Sequence, residues 1–161
     1  MAKQFKLQLS QAYCIDTDSL IELKRYPKDV FPSVWQKIES MAKSGDLISH
    51  IEVYKEINEG RDEIVDWCKS HRKILKDIDD CQSTEIKKVQ AKYDANVWAI
   101  EINKTGPWAD PWLIALALCE QNAMVVTQES NKPNRIPFVA GLLGVKALNL
   151  IDLFRTIGIK L

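Results

Sequence analysis

The sequence has few of the residues that build zinc sites and nucleophilic active sites. It contains only two histidines, His50 and His71, and four cysteines, none of them in a C-x-x-C pair. A zinc site made of Cys and His ligands is therefore disfavoured. No Ser–His or Cys–His pair stands out as a nucleophile with its base either.

An excess of charge of one sign is also lacking. The 22 Lys and Arg residues balance the 22 Asp and Glu residues, so the formal net charge is zero. A strongly basic chain would attract nucleic acid over a long range, whereas here any nucleic-acid site has to be local. With 46% apolar and 27% charged residues, the composition is that of an ordinary soluble globular protein.

Long apolar runs are absent as well. The stretch MAKQFKLQLSQAY has no apolar segment typical of a signal peptide, and no run approaches the roughly 20 residues of a membrane span. We predict a loose lead-in over residues 1–10 and expect a cytoplasmic, reduced protein without membrane contact. Cys14 and Cys119 lie in apolar runs and are predicted to be core thiols.

The remaining pattern alternates short apolar runs with amphipathic segments. The apolar runs predict strands and the amphipathic segments predict helices. The predicted strands are 12–15, 46–49, 123–127 and 146–150, and the predicted helices are 18–25, 32–45, 51–60, 108–122, 136–144 and 151–158. This order predicts one α/β domain over residues 1–161, a three-layer α/β/α fold with a short-stranded, mostly parallel central sheet.

The segment at about 60–108 differs from the rest of the chain. Lys, Glu and Asp are frequent there, and apolar positions are sparse. We predict a charged helical insert of two or three exposed helices. A solvated face is the simpler interpretation of this segment, and a docking site for RNA or a partner protein is the alternative.

Acidic residues follow or flank the predicted strands. Asp16 and Asp18 come directly after the first strand, and Glu129 follows the strand at 123–127. Glu56 lies in the helix after the second strand, and Asp110 opens the helix that leads into the strand at 123–127. Because ligand sites in parallel sheets lie at the carboxyl ends of the strands, we expect these acids at one edge of the sheet.

Carboxylates gathered at one place repel one another and have raised pKa values unless a cation lies between them. Ligand sets made only of oxygen favour Mg²⁺ or Mn²⁺. Two such ions about 4 Å apart can activate water and stabilise a leaving oxygen in phosphodiester cleavage. The sequence therefore predicts a metal-dependent phosphoryl-transfer site without a protein nucleophile.

Three segments, taken in order, resemble the four motifs of PIN-domain nucleases. YCIDTDSLI resembles the opening strand and the acidic turn after it, and VYKEINEG resembles the second motif. ADPWLIALALCEQNAMVVTQES resembles the third and fourth motifs, an Asp that opens an alanine-rich helix and a strand that ends in Thr-x-acid. The order and spacing match from residue 12 to about residue 150. YPKDVFPSVW and NRIPFVAG are similar to a less-characterised prokaryotic branch, close to the VapC toxins.

The resemblance implies a PIN-like fold and a specific set of site residues. By this likeness the catalytic and metal-binding acids are Asp16, Glu56, Asp110 and Glu129, and the supporting residues are Thr17, Asp18 and Thr127. The implied activity is Mg²⁺- or Mn²⁺-dependent endoribonuclease cleavage of RNA phosphodiester bonds. The implied role is the toxin of a toxin–antitoxin module, with RNA as substrate, an antitoxin as partner and a homodimer as assembly.

Residues near the acids are candidates for RNA contacts. Lys132 and Arg135 follow Glu129 closely and could hold phosphates, with solvated surface as the alternative. Trp108 and Trp112 flank the acid at position 110 and could stack on bases, with packing inside the protein as the commoner role.

The sequence departs from the family pattern in two places, and two other functions are open as alternatives. The last acid is Glu129 where many members have Asp, and the 60–108 segment is longer than in compact members. One alternative is a haloacid-dehalogenase-type phosphatase in which Asp16 attacks phosphorus and Asp18 is the acid–base. The other is a catalytically silent PIN-like domain that binds RNA or protein.

Overall fold

A central sheet of five parallel strands organises the protein, whose computed structural model describes residues 11–60 and 62–161. The strands are β1 (Ala12–Ile15), β2 (Leu47–His50), β3 (Leu75–Lys76), β4 (Ala123–Val126) and β5 (Ala147–Leu148). Helices cover the sheet, so the predicted three-layer α/β/α fold is confirmed. The predicted lead-in at residues 1–10 lies outside the described residues.

The described part of the chain contains nine α-helices. They are α1 (Thr17–Glu22), α2 (Pro32–Ser44), α3 (Ile51–Glu59), α4 (Ile64–Ser70), α5 (Asp80–Gln90), α6 (Ala95–Ile102), α7 (Asp110–Cys119), α8 (Ile136–Leu142) and α9 (Leu150–Ile157). Short 3₁₀ turns follow α1 and precede β3. The longest of these helices has 13 residues, and within the described ranges none has the length and apolarity needed to cross a membrane.

The strand order β3-β2-β1-β4-β5 places β1 at the centre of the sheet. The chain builds one half of the sheet outward through β2 and β3, then returns to β1 and builds the other half through β4 and β5. Ile15 of β1 pairs with Val126 of β4, and the backbone N–H of Asp16 donates to the Val126 carbonyl at 2.8 Å. The carboxyl ends of β1 and β4 therefore border the crevice where the strand order reverses, the usual ligand site of such sheets.

Helix α7 lies against the middle of the sheet. Its residues from Leu113 to Ala117 are at most 3% exposed, and it contacts β1, β2, β4, α5 and α8. This burial explains why the helix is apolar on all sides. Because α7 leads into β4, its first residue lies at the carboxyl edge of the sheet, where β1 ends.

The charged segment has more tertiary structure than its composition indicates. It forms α4, α5, α6 and the short strand β3, which the sequence analysis missed. Only α6 has no buried residue, whereas α4 buries Trp67 and α5 buries Gln82 and Val89. β3 pairs with β2 through Ser49↔Leu75. With two half-buried residues, this strand is too short to show an alternating pattern.

The prediction for Cys119 is wrong, because this residue forms a disulfide with Cys81. The bridge joins the end of α7 to the first turn of α5 across a sequence separation of 38, which also departs from the expected reduced chain. A pairing between two helices this far apart in sequence leaves no local pattern. Cys14 is buried and free, as predicted, and burial raises the pKa of its thiol.

Candidate metal centre

Asp16 is fixed at the junction between β1 and α1. It caps α1, and its Oδ1 accepts from the backbone N–H of Thr17 at 2.7 Å. Its Oδ2 accepts from the hydroxyl of Thr127, directly after β4, at 3.0 Å. Asp16 is only 4% exposed and Thr127 only 2%. Both carboxylate oxygens are thus oriented, one by the first residue of α1 and the other by the residue directly after β4.

Glu129 is held by the start of α8. Its Oε1 accepts from the backbone N–H of Ile136 at 2.9 Å, and its Oε2 lies 3.4 Å from Nη1 of Arg135. The backbone N–H of Glu129 donates to the Thr127 hydroxyl at 3.2 Å. The carboxylate is therefore held at the start of α8 instead of extending into solvent.

Asp110, Asp16 and Glu129 meet at this edge. One carboxylate oxygen from each residue lies within 4.8 Å of the others, close enough for a single ion to contact all three. We call these three residues the carboxylate cluster. Its members come from the end of β1, the start of α7 and the loop after β4, so three distant segments build it.

Burial and mutual repulsion favour protonation of the cluster. The pKa of Asp110 is raised to about 8, first by burial and then by the charges of Glu129 and Glu56. The pKa of Asp16 is raised well above its usual range, again first by burial and then by Asp110 and Asp18. Such a group has to hold protons or a cation near neutral pH.

Glu56 lies beside the cluster but outside the group of three. Its Oε1 accepts from the Thr17 hydroxyl at 2.5 Å, and its Oε2 accepts from the backbone N–H of Ala109 at 2.9 Å. Burial raises its pKa, and the Thr17 and Ala109 hydrogen bonds oppose that rise. Glu56 therefore ties α1 and α3 to the start of α7. Its assignment as a metal ligand stays a prediction.

Asp18 and Gln128 connect the site to its surroundings. Asp18 Oδ1 accepts from the backbone N–H of Gln128 at 3.0 Å, and its Oδ2 lies 3.4 Å from the Thr127 hydroxyl. Gln128 Oε1 accepts from the backbone N–H of Leu150 at 2.8 Å and from Ser19 Oγ at 3.2 Å. Gln128 was not among the predicted site residues, because nothing in its neighbourhood in sequence indicates contacts with α1 and α9.

The predicted RNA-contact residues lie in different environments. Lys132 is exposed, and Arg135 is exposed with its guanidinium next to the Glu129 carboxylate. Trp112 is half-buried and stacks on the ring of His50, with centroids 6.1 Å apart. Arg135 is thus the member of this group with a direct contact to the cluster.

The donor set of the cluster fits a hard divalent cation. It offers three carboxylate oxygens, and the ligands preferred by Mg²⁺ and Mn²⁺ are oxygens. Two of the three side chains are already oriented by hydrogen bonds from backbone and hydroxyl groups. Ligands oriented in this way bind an ion with less loss of conformational freedom.

Fold and site together define an α/β protein with a parallel sheet and a carboxylate cluster at the point where the strand order reverses. Over residues 13–161 the chain matches the family described as Domain of unknown function (DUF4411), and it belongs to that family. The matched range includes all three residues of the cluster. The family description assigns no activity. No curated protein matches the chain.

Proposed function

We propose that the protein is a Mg²⁺- or Mn²⁺-dependent endoribonuclease whose active centre is the carboxylate cluster, with Glu56 beside it. The observation that supports this most directly is the approach of three carboxylate oxygens within 4.8 Å, one of them from the buried Asp16. Gathering such groups opposes folding unless a cation or protons compensate. A cation site is the functional reason to retain the arrangement.

A bound divalent cation supplies Lewis-acid stabilisation of phosphate charge and lowers the pKa of water. The chain's own residues prepare the place for it. Thr127 and the backbone of Thr17 orient Asp16, and Ile136 orients Glu129. Asp110, with a pKa of about 8, would have to give up its proton in order to hold a cation.

RNA as the substrate is supported by the resemblance to PIN-domain nucleases and by local basic residues. Arg135 and Lys132 lie in the loop that carries Glu129, where they can contact phosphates of a strand bound at the cluster. In this proposal the protein is a cytoplasmic toxin of a toxin–antitoxin module, inhibited by an antitoxin and able to form a homodimer. One or two ions can take part.

Mn²⁺ binding by calorimetry tests the proposal first. We expect the wild-type protein to bind Mn²⁺, and we expect Asp16→Asn and Glu129→Gln to lose that binding, because each change removes a charged ligand. Asp29→Asn is the matched control, since Asp29 is an exposed acid in the loop before α2. Cleavage of single-stranded RNA by wild type, absent in Asp16→Asn, is the second readout.

Three outcomes would contradict the proposal. Absence of Mn²⁺ binding in wild type would show that the carboxylate cluster is not a metal centre. An aspartyl-phosphate trapped on Asp16 would favour the phosphatase alternative. RNA binding without metal-dependent turnover would favour a silent binding domain.

A further inference from the structure

Tyr93 is a buried residue of the charged segment that lies next to the carboxylate cluster. It follows α5 and is 6% exposed. Its ring packs edge-on against Trp98 of α6 and against Trp108, with centroids 5.4 and 5.5 Å away. Because Trp108 immediately precedes Ala109 and the start of α7, this packing holds Tyr93 close to Asp110.

A second contact fixes the same segment to the loop that contains Glu129. The backbone N–H of Asp94 donates to Asn134 Oδ1 at 2.8 Å, and Asn134 Nδ2 donates to Asp94 Oδ2 at 3.0 Å. Asn134 is two residues before Ile136, whose N–H holds the Glu129 carboxylate. Tyr93 thus packs on the residue Trp108 that precedes α7, and its neighbour Asp94 is bound to the loop that contains Glu129.

The hydroxyl of Tyr93 is buried and has no hydrogen-bond partner among the described residues. Buried polar atoms are nearly always paired, with protein groups or with water, so an unpaired hydroxyl calls for an explanation. Burial raises its pKa, followed by the charges of Asp110, Glu129 and Asp16. The hydroxyl therefore stays protonated, and the charges of all three cluster carboxylates act on it.

We propose that the Tyr93 hydroxyl hydrogen-bonds a water molecule that accompanies a divalent cation into the carboxylate cluster, and that this contact tightens cation binding. The inference rests on the proposed metal centre. Three carboxylates leave part of the coordination sphere of Mg²⁺ to other oxygens, and this ion usually keeps several of its waters. Water also fits a site where the side chain is 6% exposed, because a nucleic-acid strand has little access to it.

Tyr93 is accordingly a positioning residue rather than a metal ligand. Groups that hydrogen-bond the ligands of a metal orient them, and losing one typically weakens metal binding by roughly 10–100-fold. The sequence gives no sign of this role, because Tyr93 belongs to the charged segment that matches none of the nuclease-like motifs. Only the folded chain brings it to the cluster.

Tyr93→Phe tests the inference, since it removes one oxygen and keeps the ring that packs on the two tryptophans. We expect Mn²⁺ affinity, measured by calorimetry, to fall roughly 10-fold or more relative to wild type. Without metal, we expect the urea midpoint to stay the same or rise, because the variant loses an unpaired buried hydroxyl. Tyr26→Phe is the control, as Tyr26 packs against Phe31 and Phe154 and is expected to leave Mn²⁺ affinity unchanged.

The possible results separate the two proposals. If wild type binds Mn²⁺ and Tyr93→Phe binds it equally well, the role of Tyr93 is overturned while the metal centre stands. A lower urea midpoint of metal-free Tyr93→Phe would also overturn it, because the hydroxyl would then be bonded within the protein. If wild type fails to bind Mn²⁺, both the metal centre and the role of Tyr93 are overturned.

Discussion

Asp110 lies both in the first turn of a helix and in a crowded acidic site, and these two environments have opposite effects on its charge. An acid in the first turn is favoured by the helix dipole, and Pro111 after it suits the same turn. Burial and the charges of Glu129 and Glu56 act in the opposite direction and raise its pKa to about 8. Burial and repulsion outweigh the helix dipole at this residue, so an ionised Asp110 lowers the stability of the metal-free protein.

From the raised pKa of Asp110 we predict how the stability of the metal-free protein depends on pH. The folded-state pKa of Asp110 is about 8, whereas the unfolded value is close to 3.9. Between these values the unfolded chain has lost a proton that the native protein still holds, so metal-free stability falls as pH rises from about 4 to about 8. Asp110→Asn lacks this loss and should be more stable than wild type at pH 8, by on the order of 5 kcal/mol, with a smaller difference of about 1–2 kcal/mol at pH 5.

Urea unfolding at pH 5, 6.5 and 8 in the presence of a chelator measures this difference. Asp29→Asn serves again as the exposed-acid control and should follow wild type at each pH. An advantage of Asp110→Asn that is constant across the three pH values would show that the gain does not come from proton linkage.

Among the elements, those with a strong local pattern were predictable and those made by tertiary contact were not. β1 and β4 are runs of apolar residues whose last residues are buried, and Asp16 and Thr127 come directly after them. β3 was missed because its two residues form a strand only by pairing with β2. Likewise the place of Tyr93 depends on contacts with Trp108 and, through Asp94, with Asn134, none of which is local.

From the disulfide between α5 and α7 we predict how much this covalent link between two helices stabilises the fold. The Cys81–Cys119 bridge closes a loop across a sequence separation of 38, for which the chain-entropy relation gives about 4 kcal/mol of stabilisation. Cys81→Ser/Cys119→Ser should therefore lose roughly 2–4 kcal/mol of unfolding free energy. The Mn²⁺ affinity should change little, because the bridge is at the last residue of α7 and the cluster at its first, about 14 Å apart along the helix.

Urea unfolding with and without reductant checks this effect. Wild type should lose stability when reduced, whereas the double serine variant should be indifferent to reductant. An unchanged midpoint for reduced wild type would mean that the packing of α5 on α7 needs no covalent bridge.

For the whole molecule, the cluster joins the two halves of the sheet. Asp16 directly follows the central strand, whereas Glu129 and Asp110 belong to the half of the chain that builds β4 and β5. The resulting repulsion opposes docking of the two halves, and the cation that we propose would turn the same contacts into an attraction. The sequence predicted that four acids gather at this edge, because strand ends and helix starts are readable, and the structure brings together three of them, Asp16, Asp110 and Glu129. It could not predict that Glu56 would be engaged by Thr17 and Ala109.

A cation that binds only the folded state should therefore stabilise the whole protein. At a free Mn²⁺ concentration 100 times Kd, the unfolding free energy should rise by about 2.7 kcal/mol. At a fixed Mn²⁺ concentration the rise in unfolding free energy should be larger at pH 8 than at pH 6, because Asp110 has to release its proton before it can bind the ion. Below the pKa of Asp110, the affinity for Mn²⁺ falls about tenfold per pH unit for each proton released. Thermal unfolding at both pH values measures this, with Glu129→Gln as the variant expected to gain nothing from Mn²⁺. An equal rise for Glu129→Gln would place the stabilising ion elsewhere on the protein, and an equal rise at both pH values in wild type would separate cation binding from the protonation of Asp110.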